Sequence, residues 1–178
     1  HYGRFDEPGL AEFEPGVPPT LEAQLADIGD SLAYDSHDLD DGLRSGVLEL
    51  EALREIEIFA RSEAAVRQQY GEALSRRVLI ARTISGVISD QINDLVVTSS
   101  GRIDERNIQS VEDVRTAPDD LLGFSDAMSA EKAQLQTFLH DRLYRDPHCV
   151  RVSQKGRRMV AALFQEFVRE PAQLPRDF

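Results

Sequence analysis

Between about Ala64 and Val97 the chain carries an apolar residue at almost every turn of a helix: Leu74, Val78, Ile84, Val87, Ile88, Ile92, Leu95 and Val96. Steps of three and four residues collect these side chains on one broad side of a 3.6-residue helix. A helix of that length and apolar width is predicted to lie at the centre of a core, and it sets the fold class as all-α. Arg82, Ser85, Gly86 and Ser89 interrupt the surface as a narrow stripe of polar and small residues, which permits close helix packing. With 178 residues, 41% of them hydrophobic, the chain can bury a real core and is expected to be one domain or a large part of one.

About five helices are predicted. Residues 1–19, rich in Pro and Gly, read as an irregular, exposed connection. Thr20 offers a hydroxyl N-cap to a helix running to about His37, with Glu22 favouring its positive end. An acidic turn with Gly42 and Gly46 then breaks it before a short helix near Leu48 to Ser62. Beyond the long central helix, SVEDVRTAPDDLLGFS reads as short elements and a loop stopped by Pro118 and Gly123. Helices at about Ala127 to Tyr144 and Val150 to Arg169 follow, separated at Asp146-Pro147. In the last, Val152, Met159, Val160, Leu163, Phe164 and Phe167 are expected to pack, and Lys155, Arg157 and Arg158 to form a solvated basic face.

The first helix carries the chemistry. Leu21, Leu25, Ile28 and Leu32 form its core-facing seam, while Asp30, Tyr34 and Asp38 follow at i, i+4 and i+8 on roughly the opposite side, joined by Asp27. Spacing alone leaves two readings open, a solvated acidic face and a metal or substrate site.

The segment TLEAQLADIGDSLAYDSHDLDDGLRSG resembles the last block of the HD-domain deoxynucleoside triphosphate triphosphohydrolases, the dGTPase-like enzymes, whose signature runs LEAQ-x-AD-x-x-D-x-x-AY-x-x-HD-x-DDGLR-x-G. HYGRFDEP resembles the family's segment after a Lys-His pair, and LYRDPHCVRVSQKGRRMVAALFQEFVREPAQLP its C-terminal helix and exit. The resemblance implies that Asp30 is the final metal-ligand aspartate, that Tyr34 lies near sugar and phosphates, and that Asp38 contacts the ribose 3′-hydroxyl. It also implies that residues 1–178 are the C-terminal part of a single HD-type helical domain, with residues 20–46 as its metal and substrate motif. The first metal-ligand histidine and the His-Asp doublet would then lie upstream, in an N-terminal half of the parent chain. The implied cofactor is Mn²⁺ or Mg²⁺, and the implied partners are deoxynucleoside triphosphates. Family members are commonly homo-oligomers, often hexamers.

Arg82 sits in an otherwise apolar helix, and a buried charge without a partner costs several kcal/mol. An ion pair with Asp30 or Asp94, or a snorkelled position, would satisfy it. Phosphate binding by Arg76, Arg77 or Arg82 is the functional alternative, since related enzymes use basic residues from a helix in this region.

Other chemistries find no support. His37-Asp38 belongs to the acidic block, and His140-Asp141 follows a seam of Leu135, Phe138, Leu139 and Leu143 that leaves His140 toward solvent. His1 and His148 have no ligand spacing, and no HExxH or CxxC pattern occurs. Read as a calcium loop, DSHDLDDG places His37, Leu39 and Leu48 where oxygen ligands are required. Glycine-rich nucleotide loops and a GxSxG elbow are lacking. A net charge of −12 opposes general nucleic-acid binding, although a local basic groove stays open. Cys149, a single cysteine, suits a reducing cytoplasm. No run approaches the ~18 apolar residues of a membrane span, and no signal peptide is evident. His1 in place of an initiator Met fits a fragment or processed chain. The alternative to an enzyme is a non-catalytic helical interaction or regulatory module that kept the HD fold.

Overall fold

The computed structural model describes residues 18–175, so the expectation of an irregular connection over residues 1–19 lies almost wholly outside the described residues. Among those described there are seven α-helices and no strand. They are α1 (Leu21–Ser45), α2 (Leu50–Leu53), α3 (Glu57–Tyr70), α4 (Arg76–Glu105), α5 (Val111–Thr116), α6 (Asp126–Leu139) and α7 (Pro147–Arg169). A π-helical turn, His140–Tyr144, extends α6, and a 3₁₀ turn, Pro171–Gln173, follows α7. The fold is all-α, as the periodicity predicts.

Besides the helix expected near Leu48 to Ser62, which breaks between α2 and α3, the predicted boundaries differ in two places. α1 does not stop near His37 but continues to Ser45 and ends at Gly46, φ 76°. Its buried seam is Leu32, Asp35, Ser36, Leu39 and Leu43, which carries the packing past the predicted end. Gly42 is no breaker: a Cβ there would stand 2.4 Å from Leu48 Cδ1, so glycine lets the returning chain press onto the helix. The N-terminal seam is thinner than expected, since Leu25 is exposed and Leu21 and Ile28 are half-buried. Thr20 is the N-cap residue without a capping side-chain bond; Gln24 anchors this end, donating to the Pro19 carbonyl at 3.0 Å and accepting from the Leu121 and Leu122 amides at 3.2 and 3.1 Å.

The second difference is that the long helical signal is split. α3 ends at Gly71, φ 79°, a conformation that disfavours any side chain, and Ser75 starts α4 by accepting from the Val78 amide. α3 and α4 therefore pack against each other instead of forming one rod. Gly86 faces Ser62, where an added Cβ would come within 3.2 Å of the Ser62 Cβ, so close packing holds at this one position of the stripe, while Arg82, Ser85 and Ser89 are exposed. Only part of the α4 apolar surface is covered: Ile84, Val87 and Leu95 are buried, Leu74 and Ile88 half-buried, and Val78, Ile92 and Val96 exposed.

The core gathers Leu39, Leu43, Leu48, Leu53, Ile58, Phe59, Val87, Leu135 and Leu139 from α1 to α4 and α6. Each fully buried Leu, Ile or Phe contributes about 1.5–3 kcal/mol of hydrophobic stabilisation. A buried polar knot reinforces it. Glu63 accepts from Arg54 at 2.9 and 2.8 Å and from Arg67 at 2.9 and 2.7 Å, and the Arg54 bond is the first cause holding its carboxyl below the usual glutamate range.

α7 departs from expectation most. None of its residues is buried, and Val152, Met159, Val160, Leu163 and Phe164 are exposed; Phe167 is half-buried. Among the described residues α7 meets chiefly the π turn before it and the 3₁₀ turn after it. Its amphipathic pattern is real, yet nothing described here covers the apolar side.

Candidate functional site

Because α1 is helical from Leu21 to Ser45, Asp30, Tyr34 and Asp38 share one stripe, spanning about 12 Å along the axis at 1.5 Å per residue. Their surroundings differ along that length. Asp30 is exposed and Tyr34 is 64% exposed; among the described residues neither has a side-chain hydrogen-bond partner. Asp38 is half-buried, and its Oδ2 accepts a hydrogen bond from the Tyr144 hydroxyl on the π turn.

Between these positions α1 is fastened to α6. Asp35 is buried, accepts from Lys132 Nζ, and accepts from Gln136 Nε2 at 3.3 and 3.1 Å. Only 9% of the Asp35 side chain and 11% of the Lys132 side chain remain exposed. Breaking such a buried pair by removing one partner costs about 3–5 kcal/mol, so the clamp fixes the rotation of α1 and the outward aim of its acidic stripe.

Asp35 and Tyr144 are the residues that sequence reasoning missed. For Asp35 a signal existed: it falls on the 32, 35, 39, 43 seam, and an acid at a core position implies a cationic partner. For Tyr144 none existed, because its reach to Asp38 depends on a helix irregularity. Loss of surrounding water and, next, the Asp38 carboxylate hold the Tyr144 phenol above the ordinary tyrosine value.

The arginines are not gathered at this stripe. Arg82 stacks on the Tyr70 ring, 3.9 Å from its centroid, and lines a groove of about 520 Å³ between α3 and α4. It pairs with neither Asp30 nor Asp94; Asp94 is occupied by the Ser125 amide and hydroxyl at 2.8 and 2.6 Å. Arg76 and Arg77 are exposed in the first turn of α4. A second groove, about 430 Å³ between α1 and α4, is lined by His37, Asp40 and Arg44 on one side and Ala81, Ile84 and Ile88 on the other. His140 is exposed, as its helical position predicts, and its ring meets that of Tyr144 edge-on.

No three His, Cys, Asp or Glu side chains converge to hold a metal ion among the described residues. A divalent ion needs more than the one hard oxygen donor that Asp30 presents. The residues described here therefore form part of a metal centre at most, and Asp30 offers it a single exposed carboxylate.

Residues 122–178, which include α6, the π turn and α7, match the family model described as phosphohydrolase-associated domain. Over 160 residues the chain is 46% identical to a deoxyguanosinetriphosphate triphosphohydrolase-like protein of Bordetella pertussis, covering 90% of this chain and 41% of that protein. The corresponding protein of Nitrosomonas europaea is 43% identical over 173 residues, 97% of this chain and 46% of its own length. That of Azoarcus sp. is 36% identical over 168 residues, 94% and 44%. The chain is similar to a C-terminal region of the deoxyguanosinetriphosphate triphosphohydrolase-like proteins. It spans less than half the length of these curated relatives, and the matches run through both the acidic stripe and the α6 clamp. No helix among the described residues is long and apolar enough to cross a membrane.

Proposed function

We propose that this chain is the C-terminal part of an HD-type, metal-dependent hydrolase that converts a deoxynucleoside triphosphate of the dGTP class to the deoxynucleoside and intact tripolyphosphate. The observation that carries the reading is the outward-facing Asp30–Tyr34–Asp38 stripe on a clamped helix, within a chain similar to these proteins. Water adds to the α-phosphorus and the bond from that phosphorus to O5′ breaks. The nucleoside leaves with the proton that water gives up, and all three phosphates remain joined.

A divalent ion, Mn²⁺ or Mg²⁺, when bound, supplies positive charge at the phosphate and lowers the pKa of a coordinated water. Asp30 contributes one of its ligands, and the upstream half of the parent chain contributes the histidines and the His-Asp doublet. Tyr34, one turn on, donates its phenol to a phosphate oxygen or packs against the sugar. Asp38, two turns on, accepts from the 3′-hydroxyl. The about 12 Å rise from Asp30 to Asp38 suits a nucleotide lying along α1. Arg76, Arg77 and Arg82 are the candidates for phosphate contact, and Arg82 stands against the Tyr70 ring. A homo-oligomer, up to a hexamer, working in the cytoplasm completes the proposal.

Incubating the full-length protein with each deoxynucleoside triphosphate and Mn²⁺ and resolving products by phosphorus NMR tests it. Tripolyphosphate is the expected product. No product with any nucleotide or mixture would favour a non-catalytic helical module instead.

A further inference from the structure

The π turn at His140–Tyr144 lies where α6 passes the substrate end of α1. In an uninterrupted α-helix Tyr144 would sit about 80° further round the axis than Gln136, turned away from the stripe through which α6 meets Asp35. The π turn closes i→i+5 bonds and holds an extra residue, which winds the chain back and returns Tyr144 to that stripe. Lys132, Gln136 and Tyr144 thus meet α1 in succession, the first two at Asp35 and the third at Asp38. Single π turns inside helices recur at functional sites, and this one has an evident local result.

The chemistry of the contact is specific. A carboxylate has two oxygens and roughly four acceptor positions. Tyr144 occupies one position on Oδ2 and stops the Asp38 side chain from sampling its other rotamers, leaving Oδ1 open to a second donor. The Tyr144 ring, 45% exposed and braced edge-on by His140 at 6.4 Å between centroids, is held without being sealed off. Asp38 is therefore set in place before any ligand arrives.

We propose that Tyr144 is a positioning residue, carried by the π turn, that holds the Asp38 carboxylate in the orientation that accepts the sugar 3′-hydroxyl. The inference rests on the reading of Asp38 given above and adds a residue and a structural device to it. Tyr144 acts through Asp38, so its removal should be felt only by substrates that have a 3′-hydroxyl to offer.

The test compares kcat/KM for the best deoxynucleoside triphosphate and for its 2′,3′-dideoxy counterpart, in the full-length protein, in Tyr144→Phe, in Asp38→Asn and in the double variant. Phenylalanine keeps the ring and its packing and removes only the donor; an unchanged melting temperature confirms that the fold is intact. Loss of a hydrogen bond to a charged group lowers kcat/KM for the deoxynucleotide about tenfold in Tyr144→Phe. The dideoxynucleotide value stays level, and the double variant is no worse than Asp38→Asn. Equal loss for both nucleotides, or no loss for either, overturns the assignment of Tyr144 while leaving the hydrolase reading in place. A preference for the 3′-hydroxyl that survives Asp38→Asn overturns the role of Asp38 and that of Tyr144 with it. An unaltered protein that turns over no deoxynucleotide overturns the hydrolase reading itself.

Discussion

The two ends of the α1 stripe are built differently. At the Asp38 end the carboxylates are tied down: Asp35 to Lys132 and Gln136, Asp38 to Tyr144, all from the α6 side. At the Asp30 end the side chains stand in solvent without partners among the described residues. The contrast teaches how the proposed site is divided. On the proposed reading, the end that meets the sugar is held in place by the α6 side, whereas the end that meets the metal presents one ligand and is completed by the rest of the protein. Preorganised groups lose less entropy when the ligand arrives, so the tied end is suited to orienting a substrate and the open end to being completed.

Breaking the open end should have the largest effect on activity and the smallest on stability. Asp30→Ala is expected to lower kcat/KM at least about a thousandfold, roughly 4 kcal/mol of barrier. Its urea midpoint should barely move, because exposed, unpaired positions tolerate substitution to within about 0.5 kcal/mol. A steady-state assay beside a urea melt reads both. The tied end should show the reverse order. Lys132→Met leaves the buried Asp35 without its cation, held only by Gln136, and a loss of about 3 kcal/mol in stability is expected from chemical denaturation; if Lys132→Met melts like the parent, the clamp does not fix α1.

A buried carboxylate away from the stripe sharpens the comparison. The carboxyl of Glu63 is held below its ordinary range, first by the Arg54 bond and then by Arg67, against the opposing effect of burial. A group with a depressed native pKa contributes stability that is complete above its unfolded value and is lost as pH falls through the native one. Denaturation followed from neutral into acid conditions should show that loss, and Glu63→Gln should flatten it. The smallest effect belongs to Tyr34→Phe, for which kcat/KM should fall about tenfold with no change in melting, as for one hydrogen bond to a charged phosphate. A Tyr34→Phe enzyme with full activity would leave the ring as a packing surface for the sugar.

Helical periodicity made the fold class legible, because apolar residues at steps of three and four leave few alternatives. Breaks were harder to read. Gly42 and Gly71 look alike in the sequence, yet one is a close-packing point inside α1 and the other a positive-φ stop after α3; the difference lies in Leu48, a tertiary partner. The stripe itself was legible through spacing and resemblance. Its supports were not, since Lys132, Gln136 and Tyr144 lie about a hundred residues away and meet α1 only after the chain folds. α7 shows the remaining limit: its amphipathic pattern states that a face should be covered without stating by what, and the described residues leave it open.

The most direct measurement is phosphorus NMR of the reaction run in oxygen-18 water, with Mn²⁺ and each deoxynucleoside triphosphate, for the full-length protein and its Asp30→Ala variant. The account predicts tripolyphosphate carrying the label on a terminal phosphoryl group from the unaltered protein and no product from the variant. Nucleoside monophosphate with pyrophosphate, label in the nucleoside, or undiminished turnover by Asp30→Ala would contradict it.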